Sequence, residues 1–177
     1  MKAICIERYG NEELMEIVEV EQSKPGTGQV LVKVKAAAVN PVDWKIREGL
    51  GELFGLKPPL ILGCEVAGTV EAVGHNVKDF APGDDVYGYL SAYSGGYAEY
   101  VAAPASEFAR KPKQIDFDTA AAVPVAALTA WQGIFDLGKL ASGQRILITG
   151  ALGAVGWMGV ELGKAKGANV VGTGSGG

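Results

Sequence analysis

Apolar and polar positions alternate in short runs through the first hundred residues. The segments 2–7, 14–20, 30–39, 68–73, 85–89 and 97–102 are rich in Val, Ile and Tyr, the composition and period that predict β-strands. Turn chemistry separates them at Lys24-Pro25-Gly26, Gly74-His75-Asn76 and Pro82-Gly83-Asp84. There Pro presets φ, and Gly or Asn accepts positive φ. Short strands at this spacing predict a β-barrel or sandwich. From Asp116 the period changes: residues 120–122 and 126–137 carry apolar side chains at helical intervals, with Gly138 as a stop. A domain boundary is therefore expected between residues 115 and 125, with 1–122 as the barrel and 123–177 as a second domain.

The second domain opens on the most specific pattern in the chain. An apolar strand, Ile146 to Thr149, runs into Gly150-Ala151-Leu152-Gly153-Ala154-Val155-Gly156, then a helix over 155–166 stopped by Gly167, then a strand over 169–173. This is a βαβ unit whose first turn has the spacing G-x-G-x-x-G, with Ala151 at the first place, Gly153 at the second and Gly156 at the third. In that setting glycines allow a dinucleotide pyrophosphate to approach the backbone, and the N–H groups opening the helix face the anion. The predicted contacts are Gly150, Ala151, Gly153, Ala154, Val155 and Gly156, with Gly153 clearing the pyrophosphate and Gly156 letting helix and strand pack closely. The reading without a ligand is a structural βαβ turn. An acid closing the second strand would select NAD, yet the chain reads Gly172-Thr173-Gly174-Ser175, which favours NADP. Ser175 is a candidate for the 2′-phosphate; its alternative is plain linker, since Gly174-Ser175-Gly176-Gly177 has linker composition.

Composition narrows the remaining classes. The 177 residues are 48% hydrophobic with a net charge of −4, enough for a sizeable core. No segment concentrates Lys and Arg, so nucleic acid and anionic membranes are not expected partners. The longest apolar stretch, 120–131, falls short of a bilayer span and is broken by Pro124 and Thr129. Two cysteines and a start without a secretory pattern point to a reducing, cytoplasmic compartment.

Several motifs then line up in order: Asn40-Pro41-Val42-Asp43-Trp44-Lys45, Ile61-Leu62-Gly63-Cys64-Glu65-Val66-Ala67-Gly68, Gly95-Gly96-Tyr97-Ala98-Glu99-Tyr100-Val101, and Val123-Pro124-Val125-Ala126-Ala127-Leu128-Thr129-Ala130-Trp131-Gln132. With the glycine turn they resemble the medium-chain dehydrogenase/reductase superfamily, in its zinc-free quinone oxidoreductase branch. The resemblance implies an α/β protein with a GroES-like N-terminal barrel and a partial Rossmann domain. It also implies NADPH as cofactor and a small quinone or enone as substrate, reduced by direct hydride transfer.

Family members that hold catalytic zinc use a Cys, a His and a second Cys, and the matching positions here are Asn40, Cys64 and Val125. Glu65 alone could assist Cys64, a set too small for a catalytic zinc site, so no metal is expected. His75, the only histidine, reads as a turn residue. Asn40 and Lys45 are the catalytic candidates the resemblance implies, as donors to the developing enolate or hydroquinone oxygen, and Thr129 the contact to the nicotinamide carboxamide. Each has an alternative. Asn40 and Asp43 suit the capping of a helix that starts at Pro41, Lys45 suits a solvated face, and Thr129 suits packing in its own helix. Family members add further Rossmann strands, so the chain is expected to be a truncated form with an exposed sheet edge. Weak cofactor affinity follows from that, and the alternative function is an inactive fragment or scaffold that self-associates through the edge.

Overall fold

A computed structural model describes residues 1–91 and 95–175. Gly176 and Gly177 of the linker-like ending lie outside the described residues. The chain divides into two compact units, Met1–Ala122 and Val123–Gly177.

The first unit is built on two antiparallel sheets. Strands β1 (Lys2–Ile6), β2 (Met15–Glu19) and β4 (Leu60–Ile61) form one, in the order β2-β1-β4. Strands β3 (Gln29–Ala37), β5 (Glu65–Val73), β6 (Asp85–Tyr89), β7 (Tyr100–Pro104) and β8 (Phe108–Arg110) form the other, in the order β7-β3-β5-β6-β8. Alternation along β3 and β5 sets the layers. Val30, Val32, Val66 and Val70 point into one core with Val86, Leu90, Val101, Ala103 and Phe108. From the opposite face, Ala67 packs under helix α2 (Phe117–Ala121) against Ala120 and Ala121. Helix α1 (Pro41–Arg47) bears on a second cluster, in which Ile46 meets Ile6, Leu60 and Leu62.

Two strands lie beyond the alternation pattern. β4 and β8 have two and three residues, too few for a period to register, and they are specified by pairing with β1 and β6. β7 starts at Tyr100 rather than at Tyr97. The Tyr97 backbone is committed elsewhere, its N–H donating to the Leu62 carbonyl (2.9 Å) and its carbonyl accepting from Ile4 N–H (2.8 Å).

The second unit contains α3 (Pro124–Trp131), β9 (Arg145–Thr149), α4 (Ala154–Ala165) and β10 (Asn169–Thr173). Strands β9 and β10 pair in parallel, Ile146 opposite Val170 and Ile148 opposite Gly172. The helix expected over 126–137 is α-helical only as far as Trp131. It then widens into a π-helical turn, Gln132–Leu137, closed by Gly138 N–H donating to the Gly133 carbonyl. Gly138 keeps right-handed backbone (φ −75°), and the left-handed residue after the helix is Lys139 (φ 51°). Among the described residues no helix is long and apolar enough to cross a membrane.

Candidate functional site

In the first unit the site grows from the start of α1. Asn40 is extended (φ −115°, ψ 155°) and Pro41 opens the helix with the φ it already prefers. The Asp43 carboxylate reaches back to accept from the Asn40 backbone N–H (2.7 Å). Asn40 and Asp43 thus form a reciprocal capping box at the start of α1, as their positions allow, and the Asn40 amide nitrogen stays available for another bond. That side chain donates from Nδ2 to Oε2 of Glu65 at 2.7 Å. Glu65 opens β5 and is 1% exposed. Buried carboxylates need donors, and Asn40 is one of them.

Tyr97 completes the cluster. Its hydroxyl donates to Oδ2 of Asp43 (2.9 Å) and lies 3.3 Å from the Ala38 carbonyl; the shorter, charge-assisted bond takes the hydrogen. The ring can reach Asp43 because Gly63 has no side chain. A Cβ on Gly63 would stand 2.4 Å from the Tyr97 ring, and Gly63 also adopts φ +90°. Burial raises the Tyr97 hydroxyl far above the ordinary phenol range, with the Asp43 charge adding to it. Burial likewise raises the Cys64 thiol, again with Asp43 adding. Both groups are therefore neutral at physiological pH, and Cys64 is a thiol rather than the thiolate that binds metal or attacks carbon. Oδ1 of Asp43 is buried with no hydrogen-bond partner.

Lys45 does not join this cluster. It is on the exposed side of α1, with Nζ 5.6 Å from the ring centroid of Trp44. Among the described residues no group of three or more His, Cys, Asp and Glu side chains could hold a metal ion. His75 is exposed in its turn, its carbonyl accepting from Gly28 N–H.

In the second unit the glycine turn lies between β9 and α4. Gly150 has φ +68°, a conformation glycine adopts without cost. Ala151 N–H donates to the Thr173 carbonyl (2.8 Å), tying the turn to the end of β10. Gly153 is the N-cap of α4 and offers no side-chain cap, and the first helical turn carries no acid. The N–H groups of Ala154, Val155 and Gly156 thus open the helix without carbonyl partners in it, an arrangement that suits an anion. Gly156 lets the first turn of α4 pass close to the residue that follows β9. A Cβ on Gly156 would stand 2.1 Å from the Gly150 carbonyl oxygen. Helix-to-strand proximity continues at Gly159 and Gly163, whose added Cβ atoms would meet Ile148 at 3.2 Å and Val170 at 2.9 Å. Sequence reasoning passed over these two, although with Gly156 they form a stripe at helical spacing.

Thr129 is exposed on α3, and its hydroxyl donates to the Val125 carbonyl at 2.6 Å. That leaves Oγ1 as an acceptor, the capacity a carboxamide N–H needs. Ser175 is exposed just past β10.

An antiparallel GroES-like unit followed by a unit with a Rossmann-type βαβ turn is the architecture of medium-chain oxidoreductases. Residues 26–113 match the alcohol dehydrogenase GroES-like domain family, and the chain belongs to the medium-chain dehydrogenase/reductase superfamily. It is 39% identical over 176 residues to quinone oxidoreductase of Sus scrofa, covering 98% of this chain and 52% of that protein. Among solved structures it is similar to an alcohol dehydrogenase superfamily protein from Novosphingobium aromaticivorans (TM-score 0.93, 35% identity, 99% of this chain and 54% of that one). A mycobacterial protein complexed with NADPH is also similar (TM-score 0.87, 31% identity, 99% of this chain and 53% of that one). The chain thus spans about half the length of the relatives it matches.

Proposed function

We propose that this chain serves the NADPH-dependent reduction of quinones or α,β-unsaturated carbonyls, by direct hydride transfer and without a metal. The observation that carries the reading is the glycine turn, where three helix-opening N–H groups and an acid-free first turn suit a pyrophosphate. Gly150, Ala151, Gly153, Ala154, Val155 and Gly156 would hold that group. Thr129 would accept from the carboxamide through Oγ1, and Ser175 would bond the 2′-phosphate. When bound, NADPH supplies the hydride.

Conjugated substrates suit a site of this kind because they disperse the arriving charge themselves. What the protein adds is a donor at the oxygen where charge accumulates. Asn40 fits that role through the Nδ2 hydrogen that Glu65 does not take. Lys45, exposed on α1, would stabilise the developing enolate or hold the cofactor through its ammonium. No nucleic acid or membrane partner belongs to it, and we infer a cytoplasmic location, supported by two unpaired, buried cysteines.

Isothermal titration with NADPH and NADH tests the reading. Heat with NADPH, and weaker or no heat with NADH, is expected; no heat with either would refute it. One zinc per chain in a metal assay would overturn the metal-free mechanism.

A second reading has copies of the chain self-associating through the β9–β10 sheet. It is favoured by the exposure of Leu147 (63%) and Val171 (59%) on those strands. Sedimentation that stays monomeric at high concentration would remove it.

A further inference from the structure

Asn40 is held from two directions by two carboxylates, one on its backbone and one on its side-chain amide. Asp43 accepts from its backbone N–H, and Glu65 accepts from Nδ2, both at 2.7 Å. The Glu65 carboxyl oxygen accepts from Nδ2, so the amide turns its nitrogen toward Glu65. That fixes which end of the amide points where. Nδ2 retains one hydrogen beyond the bond to Glu65, and Oδ1 faces away from the carboxylate. If the amide were flipped, it would set oxygen against oxygen in a buried site, at a cost comparable to losing a charge-assisted hydrogen bond.

Glu65 is well suited to hold this direction. It is 1% exposed and leads β5, a nine-residue strand paired on both sides, with β3 and with β6. The other anchor is equally fixed, since Asp43 is 3% exposed and receives the Tyr97 hydroxyl. Asn40 itself is only partly buried, so its amide lies between a rigid interior and accessible space.

We propose that Glu65 is a positioning residue, which aims the Asn40 amide so that its remaining N–H is presented to a carbonyl or quinone oxygen. The proposal rests on the function assigned to Asn40 above, and Glu65 itself touches no reactant.

Two measurements on the full chain test it. The first needs no cofactor. In side-chain amide NMR spectra the two Asn40 Nδ2 protons should be widely split, with one protected from solvent exchange. In Glu65→Gln the splitting should persist, because the Gln carbonyl still accepts, and in Glu65→Ala it should collapse to that of a free amide. Asn40 signals of a free amide in the unaltered protein, or signals unchanged in Glu65→Ala, would overturn the proposal. The comparison of the unaltered chain with Glu65→Gln stands even where Glu65→Ala does not fold.

The second is a double-mutant cycle on NADPH-driven reduction of a benzoquinone. Glu65→Ala should lower kcat roughly tenfold or more with little change in KM for NADPH, and Glu65→Gln should recover most of the loss. In an Asn40→Ala background Glu65→Ala should cost nothing further. An equal loss in both backgrounds would show a merely structural role and overturn the proposal. Absence of turnover in the unaltered chain would count against the reductase function, and the amide spectra would still decide the role of Glu65.

Discussion

The two units make their sites in opposite ways. In the first, the Asn40 side chain is held by a buried carboxylate 25 residues away, and the buried Asp43 by a tyrosine 54 residues away. In the second, seven consecutive residues make the turn almost entirely from backbone, with one bond to the neighbouring strand end. The strands differ in the same sense. Val30, Leu31 and Val32 of β3 are all buried, whereas no residue of β9 or β10 is. A site of side chains needs a core to fix it; a site of N–H groups needs only a helix start and glycines that let the chain turn.

The largest expected effect contrasts burial directly. Ile46→Ala, in the cluster with Ile6 and Leu62, should cost about 3 kcal/mol in urea unfolding, while Leu147→Ala on β9 should cost less than about 0.5 kcal/mol. A large loss from Leu147→Ala would break the contrast, because it would mean that β9 is covered in solution. Next comes the turn. In Gly156→Ala the new Cβ meets the Gly150 carbonyl oxygen, a backbone atom that cannot rotate away. NADPH affinity by calorimetry should fall by roughly tenfold or more, with the Asn40 amide spectrum unchanged.

Tyr97→Phe should cost about 1–2 kcal/mol of stability, because Asp43 already has one unpartnered oxygen and loses a donor on the other. The smallest effect concerns acid sensitivity. The hydrogen bond from Arg110, followed by that from Ala81 N–H, holds the Asp84 carboxyl below its usual range. A depressed folded-state pKa contributes stability above the unfolded value, and that contribution disappears as pH falls through the folded one. Asp84→Asn should therefore flatten the loss of stability between roughly pH 5 and pH 2, read by thermal unfolding across pH.

Much of the fold could be read from local patterns. The strands of five to nine residues announced themselves through Val, Ile and Tyr at alternate positions, and α4 begins within one residue of its expected start. The same holds for the glycine turn, whose determinants are contiguous. What stayed hidden is what depends on distant partners. Glu65 stood out only as a possible metal helper and Tyr97 only as part of a strand, because nothing near either of them names Asn40 or Asp43. One signal was available. A lone acid inside the apolar run from Ile61 to Ala67 is either exposed or satisfied by a donor from elsewhere in the chain. The π-helical widening after Trp131 has no periodicity signature, since a single extra residue in a turn leaves the apolar spacing almost intact.

Tyr97 has a consequence for dynamics. Its hydroxyl binds Asp43 while its backbone carbonyl receives the Ile4 N–H from β1. Separation of β1 from the Tyr97 backbone and release of Asp43 are therefore two ends of one fluctuation. The amide proton of Ile4, measured by native-state hydrogen exchange, then becomes a remote clock for how often the Asn40 cluster comes apart.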